Sequence, residues 1–270
     1  MKHDYWTVRS GKYNKLKWVT NEYLLNSLID FCDLQDTDVV MEAGCGTGIV
    51  SKAIVDKVAC VVASDYSIDM LQQMNNDMGI ITVCQDLQEY TPFICSFDKI
   101  IGRMVFHHIN DLRTAFSNCH QMLKPEGRLI IQEGVPPSED PEVVEFFTKV
   151  MTKKEERNIL TKDYLINCFK EIFPNDTKRI DLRDNGRVGY SGYSRLWNLV
   201  EYKEIYDKEF SVNNWLVNSN QPKKLQKEIY DLHLNASEKI KDVYRMVVKD
   251  DGEIIMQTKV LLIKGVKNGY

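Results

Sequence analysis

The chain has 270 residues, 43% of them hydrophobic, enough apolar material for one large domain with an insertion or two small ones, which excludes a disordered chain. Its 35 lysines and arginines against 39 acids leave a net charge of −4, so the chain as a whole lacks the positive field that would gather a nucleic acid. Seven cysteines (Cys32, Cys45, Cys60, Cys84, Cys95, Cys119, Cys168) show no CxxC pair and no metal-ligand spacing with histidine. They read as reduced thiols of a cytoplasmic protein, with no metal site expected. The opening MKHDYWTVRSGKYNK has no apolar signal core, and nowhere do 18 uncharged apolar residues run together, so neither secretion nor a membrane span is expected.

Residues 1–30 read as an N-terminal helical segment. From there to residue 133, strand-like apolar runs alternate with stretches of helical period, the βαβ rhythm of a parallel sheet covered by helices. The strands are expected at Val39 to Ala43, Val58 to Ser64, Ile80 to Cys84, Lys99 to Gly102 and Arg128 to Glu133. Helices are expected from Ile49 to Lys57, along the face Ile68, Leu71, Met74, Met78, and along Leu112, Ala115, Phe116, Cys119, Leu123, this last ended by KPEG. The prolines of GVPPSEDPE, at 136, 137 and 141, fit neither a central strand nor a helix interior and predict a loop. A helix over 161–173 and a sixth strand over 177–182 follow. From 186 to about 248 the pattern is mainly helical, with Pro222 as a first-turn proline before Leu225, Ile229, Leu232, Ala236, Ile240 and Val243. A turn at KDDGE and a last strand from Lys259 to Gly265 close the chain. The expected organisation is a core of residues 31–185 and 251–270, with a helical cap inserted at 186–250.

EAGCGTG, Glu42 to Gly48, stands directly behind the first strand and before a helix. Closely spaced glycines at such a junction bring bare backbone against a nucleotide-like ligand, because a Cβ there would obstruct its approach. The dinucleotide spacing G-x-G-x-x-G fails, since Ile49 stands where its third glycine is required. The spacing found, G-x-G-x-G, resembles motif I of the class I S-adenosylmethionine-dependent methyltransferases. Further matches follow in order: Asp65 in VVASDYS, Asp86 in VCQDLQEY, and the stretch FDKIIGRMVFHHINDLRTAFSNCHQMLKPEGRLIIQEG, similar to the family's fourth strand, helix and fifth strand. The resemblance covers residues 39 to 133 and implies a Rossmann-like α/β sheet, mostly parallel, of seven strands with the last antiparallel, carrying a helical cap insertion. It implies S-adenosylmethionine as cofactor and S-adenosylhomocysteine as product. The loop Glu42, Gly44, Cys45, Gly46, Gly48 would wrap the methionine part, Asp65 would accept both ribose hydroxyls, and Asp86 would receive the adenine amino group. Tyr66, Met70, Leu87 and Arg103 would complete the cofactor site. Glu42 departs from the aspartate common in the family, keeping the charge on a longer arm.

A sulfonium already activates its methyl group, so the protein needs to align an acceptor, exclude water and remove a proton. The candidate bases are His107 and His108, directly after the fourth strand. The frame from His107 to Asp111 is similar to the His-Asp-Trp-x-Asp of plant-type small-molecule O-methyltransferases, which puts His107 on the family's base; in broader groups the HH pair only packs or orients its loop. Arg103 reads equally as a cofactor or acid contact and as a surface arginine. Glu133 is similar to the acid that closes the same strand in O-methyltransferases; in this chain it would orient His107, bind substrate or cap the loop. Tyr13, Tyr190, Tyr193 and Arg195 are expected to enclose the acceptor, and Arg157, Arg183 and Arg187 offer an anion site. No Asn/Asp-Pro-Pro-Tyr/Phe follows the fourth strand, which argues against methylation of base or glutamine amino groups. The expected function is methyl transfer to a small metabolite at oxygen, by a monomer or homodimer without nucleic-acid or membrane partners. The alternatives are N-methylation of a small molecule, a macromolecular acceptor, and a cofactor sensor whose cap fills its own pocket.

Overall fold

The computed structural model of the chain describes residues 16–74, 79–173, 200–219 and 221–268. The apolar runs form the parallel strands β1 (Val39–Ala43), β2 (Cys60–Asp65), β3 (Ile80–Cys84), β4 (Phe97–Arg103) and β5 (Leu123–Val135). Three more strands follow: β6 (Val200–Ser211), the two-residue β7 (Val247–Val248) and β8 (Ile254–Val266). The sheet order is β3-β2-β1-β4-β5-β8-β6, with β8 antiparallel to both neighbours and β7 paired to β8 off this path. Strand order therefore reverses between β1 and β4, which opens a crevice beyond their carboxyl ends.

The helices are α1 (Glu22–Cys32), α2 (Ile49–Ile54), α3 (Ile68–Leu71), α4 (Leu112–Met122), α5 (Pro141–Lys154), α6 (Lys162–Ile172), α7 (Val212–Val217), α8 (Lys223–Leu234) and α9 (Glu238–Tyr244). Alternation along the strands divides the core. Met41, Ala43, Ile100, Leu129, Ile131, Leu261 and Ile263 pack with Phe116 and Phe169 of α4 and α6. Val40, Val61, Ile101, Ile130, Val260 and Leu262 face the other way, onto Leu24 and Leu28 of α1 and Val50 and Ile54 of α2. A third cluster joins Val143 and Val150 of α5, Trp215 of α7, Ile229 of α8, Tyr244 of α9 and Met256 of β8.

Three expectations are corrected. Residues 200–211, read as part of a helical stretch, form strand β6, paired with β8 from Val200↔Gly265 to Ser211↔Ile255. Its sequence VEYKEIYDKEFS carries six charged residues, suiting the exposed side of a sheet edge, and only a few of its positions are buried, which obscures the period of two. The prolines at 136 and 137 lie in the expected loop, but Pro141 opens α5: Asp140 caps the helix by accepting from Glu142 N, and proline at the first position loses no helical hydrogen bond. The single helix expected from 225 to 243 breaks at 235–237, where Ser237 accepts from Ile240 N and caps α9. The strand expected over 177–182 and the first 15 residues lie outside the described residues.

Gly265 in β8 shows how tightly the sheet is covered. A Cβ there would stand 2.3 Å from Phe173 Cδ2, just after α6. Gly265→Ala is expected to lower stability by about 1–3 kcal/mol through overpacking, read as a lower urea midpoint at unchanged slope. An unaltered midpoint would mean that Phe173 moves aside freely.

Candidate active site

The glycine loop leaves β1 with Gly44, Gly46 and Gly48 at φ values of 64°, 54° and 78°. Those left-handed conformations strongly favour glycine. Two of the loop's missing side chains are also required by packing: a Cβ on Gly44 would lie 2.1 Å from Val105 Cγ2, and one on Gly48 2.4 Å from Met74 Cε. The loop is thereby pressed against the segment that follows β4. Cys45 is buried with its Sγ 3.7 Å from Met74 Sδ, and burial pushes its thiol far above the ordinary range, so it packs rather than reacts.

Asp65, at the end of β2, accepts from Gly46 N and Ser67 N, both at 2.8 Å. Burial raises its carboxyl above the ordinary value against the pull of these backbone donors. Ser67 caps α3, its side chain accepting from Met70 N. Tyr66 is partly exposed, and burial followed by the charges of Asp65 and Asp86 raises its phenol to about 12; Asp65 pairs with Cys84 of β3, two residues before Asp86, which sets all three on one rim of the sheet. Asp86 accepts from Gln88 N at 2.9 Å and from Gln88 Nε2. Met70 and Leu87 are buried beneath this rim.

Glu42 is buried under the loop and accepts from Ser51 N at 2.7 Å and from the Ser51 hydroxyl. Burial pushes its carboxyl from 4.5 up to about 7, against those two bonds. Between these values the folded chain holds a proton that the unfolded chain has released, so stability falls as pH rises through that window. Glu42→Gln is expected to shrink the stability difference between about pH 5 and about pH 8 by about 1–3 kcal/mol in urea melts. A slope identical to that of the parent would assign the effect to another group.

Arg103 at the end of β4 is buried. Its Nε donates to Gln132 Oε1, Nη1 to Val19 O and Nη2 to Trp18 O, each at 2.8 Å. It is neither a surface arginine nor turned wholly to a ligand: it clamps the chain before α1 across the end of the sheet. The backbone then turns through Met104, a non-glycine residue at φ 53°, into a 3-10 turn over Phe106–His108. That turn delivers His107 to Glu133 at the end of β5. Glu133 Oε1 accepts from Phe106 N and Oε2 lies 2.7 Å from His107 Nδ1. Both side chains are buried. Glu133 thus orients the His107 ring and at the same time caps the turn through Phe106 N. Burial raises the Glu133 carboxyl above its ordinary range, and burial with the His107 ring lowers His108 well below its own.

Beside this dyad, between the sheet and the cluster of α5, α7, α8 and α9, lies a cavity of about 120 Å³. Its walls include Met104, Phe146, Met151, Trp215, Tyr244 and Met256, and its polar side holds His107, His108, Lys154, Glu155 and Arg157. His107, His108 and Glu155 each bring one ligand-type atom within 4.8 Å of the others, a grouping that spacing in the sequence does not reveal. Glu155 is bridged by Lys154 at 2.9 Å and Arg157 at 3.5 Å, so a divalent cation would enter beside two fixed positive charges. The donor set suits handling a proton or a polar substrate group better than holding a metal.

The structure thus gathers Glu42, Gly44, Cys45, Gly46, Gly48, Asp65, Tyr66 and Asp86 around the β1–β2 end, and His107, His108 and Glu133 around the β4–β5 end. Tyr13, Tyr190, Tyr193 and Arg195, with Arg183 and Arg187, lie outside the described residues. Of the anion-site candidates Arg157 reaches the cavity. Sequence reasoning missed Phe146, Lys154, Glu155, Trp215 and His233. The signal for the first two was the Asp140-Pro141 helix start followed by Val143, Phe147, Val150 and Lys154 on one buried face.

Residues 41–131 match the Methyltransferase domain family. The uncharacterized methyltransferase YcgJ of Bacillus subtilis is 24% identical over 237 residues, 84% of each chain. Its crystal structure superposes with a TM-score of 0.73 at 18% identity, covering 92% of this chain and 99% of that one. A ubiquinone biosynthesis O-methyltransferase of Coxiella burnetii is 30% identical over 95 residues, 33% of this chain and 41% of that protein. The phosphoethanolamine N-methyltransferase 2 of Haemonchus contortus, solved with phosphomonomethylethanolamine and S-adenosylhomocysteine, shares the fold at a TM-score of 0.58 and 14% identity, over 96% of this chain and 57% of that one. Residues 41–131 thus resemble a methyltransferase domain, and the sheet that carries them has the fold of solved methyltransferases.

Proposed function

We propose that the protein methylates a small metabolite at oxygen, with S-adenosylmethionine as donor and His107 as general base. The observation that carries this reading is the buried Glu133–His107 dyad beside a cavity, next to the segment on which the glycine loop rests. The residues present fit the donor: the loop offers backbone, Asp65 a carboxylate already oriented by two N–H groups, and Asp86 a second carboxylate on the same rim. The cofactor, when bound, supplies a methyl group activated by a sulfonium. Asp65 holds the ribose and Asp86 the adenine amino group. Glu133 accepts the Nδ1–H of His107, which leaves Nε2 as the basic nitrogen. His107 Nε2 would take the acceptor's hydroxyl proton, which frees the oxygen for the methyl group that the bound cofactor would supply. The chain before α1, held by Arg103, and helices α5, α7, α8 and α9 shield the reacting atoms from water.

The cavity favours an acceptor over a sensor, in which the cap would occupy this space. The fold shared with an N-methyltransferase supports a second reading, in which the same base strips an ammonium group before transfer. No helix of the described residues is long and apolar enough to cross a membrane. All seven cysteines are free, which supports a reducing, cytoplasmic setting. Incubation with a methyl-labelled cofactor and host metabolite extract, followed by mass spectrometry, tests the proposal. Label on the oxygen of one small metabolite supports it; label on nitrogen selects the second reading. No labelled small molecule while S-adenosylhomocysteine still binds would overturn both.

A further inference from the structure

His233, near the end of α8, lines the cavity and is 1% exposed. Its Nδ1 lies 2.8 Å from the carbonyl of Ile229 in the same helix. A carbonyl only accepts, so Nδ1 carries a proton, and burial disfavours a second one, which leaves Nε2 as an acceptor. That Nε2 is fully buried and has no hydrogen-bond partner among the described residues. The ring is held edge-on by Phe146, with centroids 5.5 Å apart, and by Trp215 at 6.5 Å. Its tilt is fixed by the helix on one side and these rings on the other. Burial lowers its basicity further, which keeps the acceptor unprotonated. Buried polar atoms in folded proteins nearly always have a partner, and a stranded one on a residue that lines a cavity points to a partner arriving there.

We propose that His233 is the specificity-determining residue of this cavity, accepting a hydrogen bond from a second donor on a ring-sized, largely apolar acceptor. The proposal rests on the small-molecule reading above and names its substrate class: a hydroxylated or amino-substituted aromatic compound rather than a plain hydrocarbon or an ion. A volume of about 120 Å³ suits one ring. The aromatic and thioether residues around the ring supply non-directional contact, so on this wall, away from the polar side at His107, His108, Lys154, Glu155 and Arg157, discrimination falls to His233 Nε2.

Phenol and toluene are matched probes, differing in one hydroxyl. Their affinities are measured by titration calorimetry on the full chain saturated with S-adenosylhomocysteine, for the parent protein and His233→Phe. The phenol-to-toluene affinity ratio is expected to fall about three- to tenfold in the variant, the worth of one neutral hydrogen bond. In the parent protein, the ¹⁵N resonance of His233 Nε2 is expected to shift with phenol and stay in place with toluene, a test that needs no variant. A ratio unchanged by His233→Phe, a ¹⁵N signal indifferent to phenol, or no binding of either probe would overturn the proposal. The labelled-methyl assay is read separately: label on a small metabolite alongside any of those results would leave the methyltransferase reading standing while the role of His233 falls.

Discussion

His107→Gln is expected to lower kcat by about 10²- to 10⁴-fold, while affinity for S-adenosylhomocysteine stays within about twofold of the parent. Glutamine can neither take the acceptor's proton nor use Glu133 as an imidazole does, and His107 stands at the β4–β5 end, away from the Asp65 rim. The loss corresponds to about 3–5 kcal/mol of barrier. The substitution also leaves the buried Glu133 with one fewer partner, so a thermal melt accompanies the assay. Glu133→Gln separates base from orienter. It keeps an acceptor for Nδ1–H but removes the charge that stabilises the imidazolium, so a smaller loss of about 10- to 100-fold is expected. The acidic limb of its rate–pH profile should also move to lower pH. A kcat for His107→Gln equal to that of the parent would place the base elsewhere or mean that the acceptor needs none.

Asp65→Ala is expected to weaken S-adenosylhomocysteine binding by about 10²-fold or more, measured by titration calorimetry. Two hydrogen bonds from ribose hydroxyls to a buried carboxylate are worth about 1.5–3 kcal/mol each. The same carboxylate ties Gly46 N to Ser67 N, so alanine also frees the loop from its anchor and adds an ordering cost to binding. Because burial raises this carboxyl, binding should weaken on acidification sooner than an exposed aspartate would cause, as protonation removes the acceptor. Asp65→Asn, similar in size, should show an intermediate loss without that acid limb. Cofactor affinity unaltered in Asp65→Ala would move the ribose away from the end of β2.

Both experiments use residues named from the sequence, where resemblance also offered Glu133 as a partner of His107, yet the contacts that make them interpretable came from folding. Glu133 lies 26 positions from His107, and Arg103 reaches carbonyls 84 and 85 positions back, at Val19 and Trp18. No local pattern encodes such pairings. They follow from β4 and β5 being neighbours and from the chain before α1 crossing the sheet's end. The cap illustrates the same limit from the other direction. Charged residues along Val200–Ser211 hid a strand, and a proline that begins a helix resembled one that forbids it.

By itself the sequence determined the strand–glycine loop–helix unit at 39–54, the acids ending β2 and following β3, and the histidine pair after β4. Each is a contiguous stretch whose conformation depends on its own residues: three glycines that can turn left-handed, an apolar run that becomes a buried strand, polar groups exposed where the strand stops. The tertiary structure alone decided which nitrogen of His107 faces a carboxylate, which helices wall the cavity, and that His233 holds an unpartnered acceptor there. Burial and hydrogen-bond pairing are set by elements distant in the chain coming to share one small volume, and that convergence exists only once the sheet and its cap have packed.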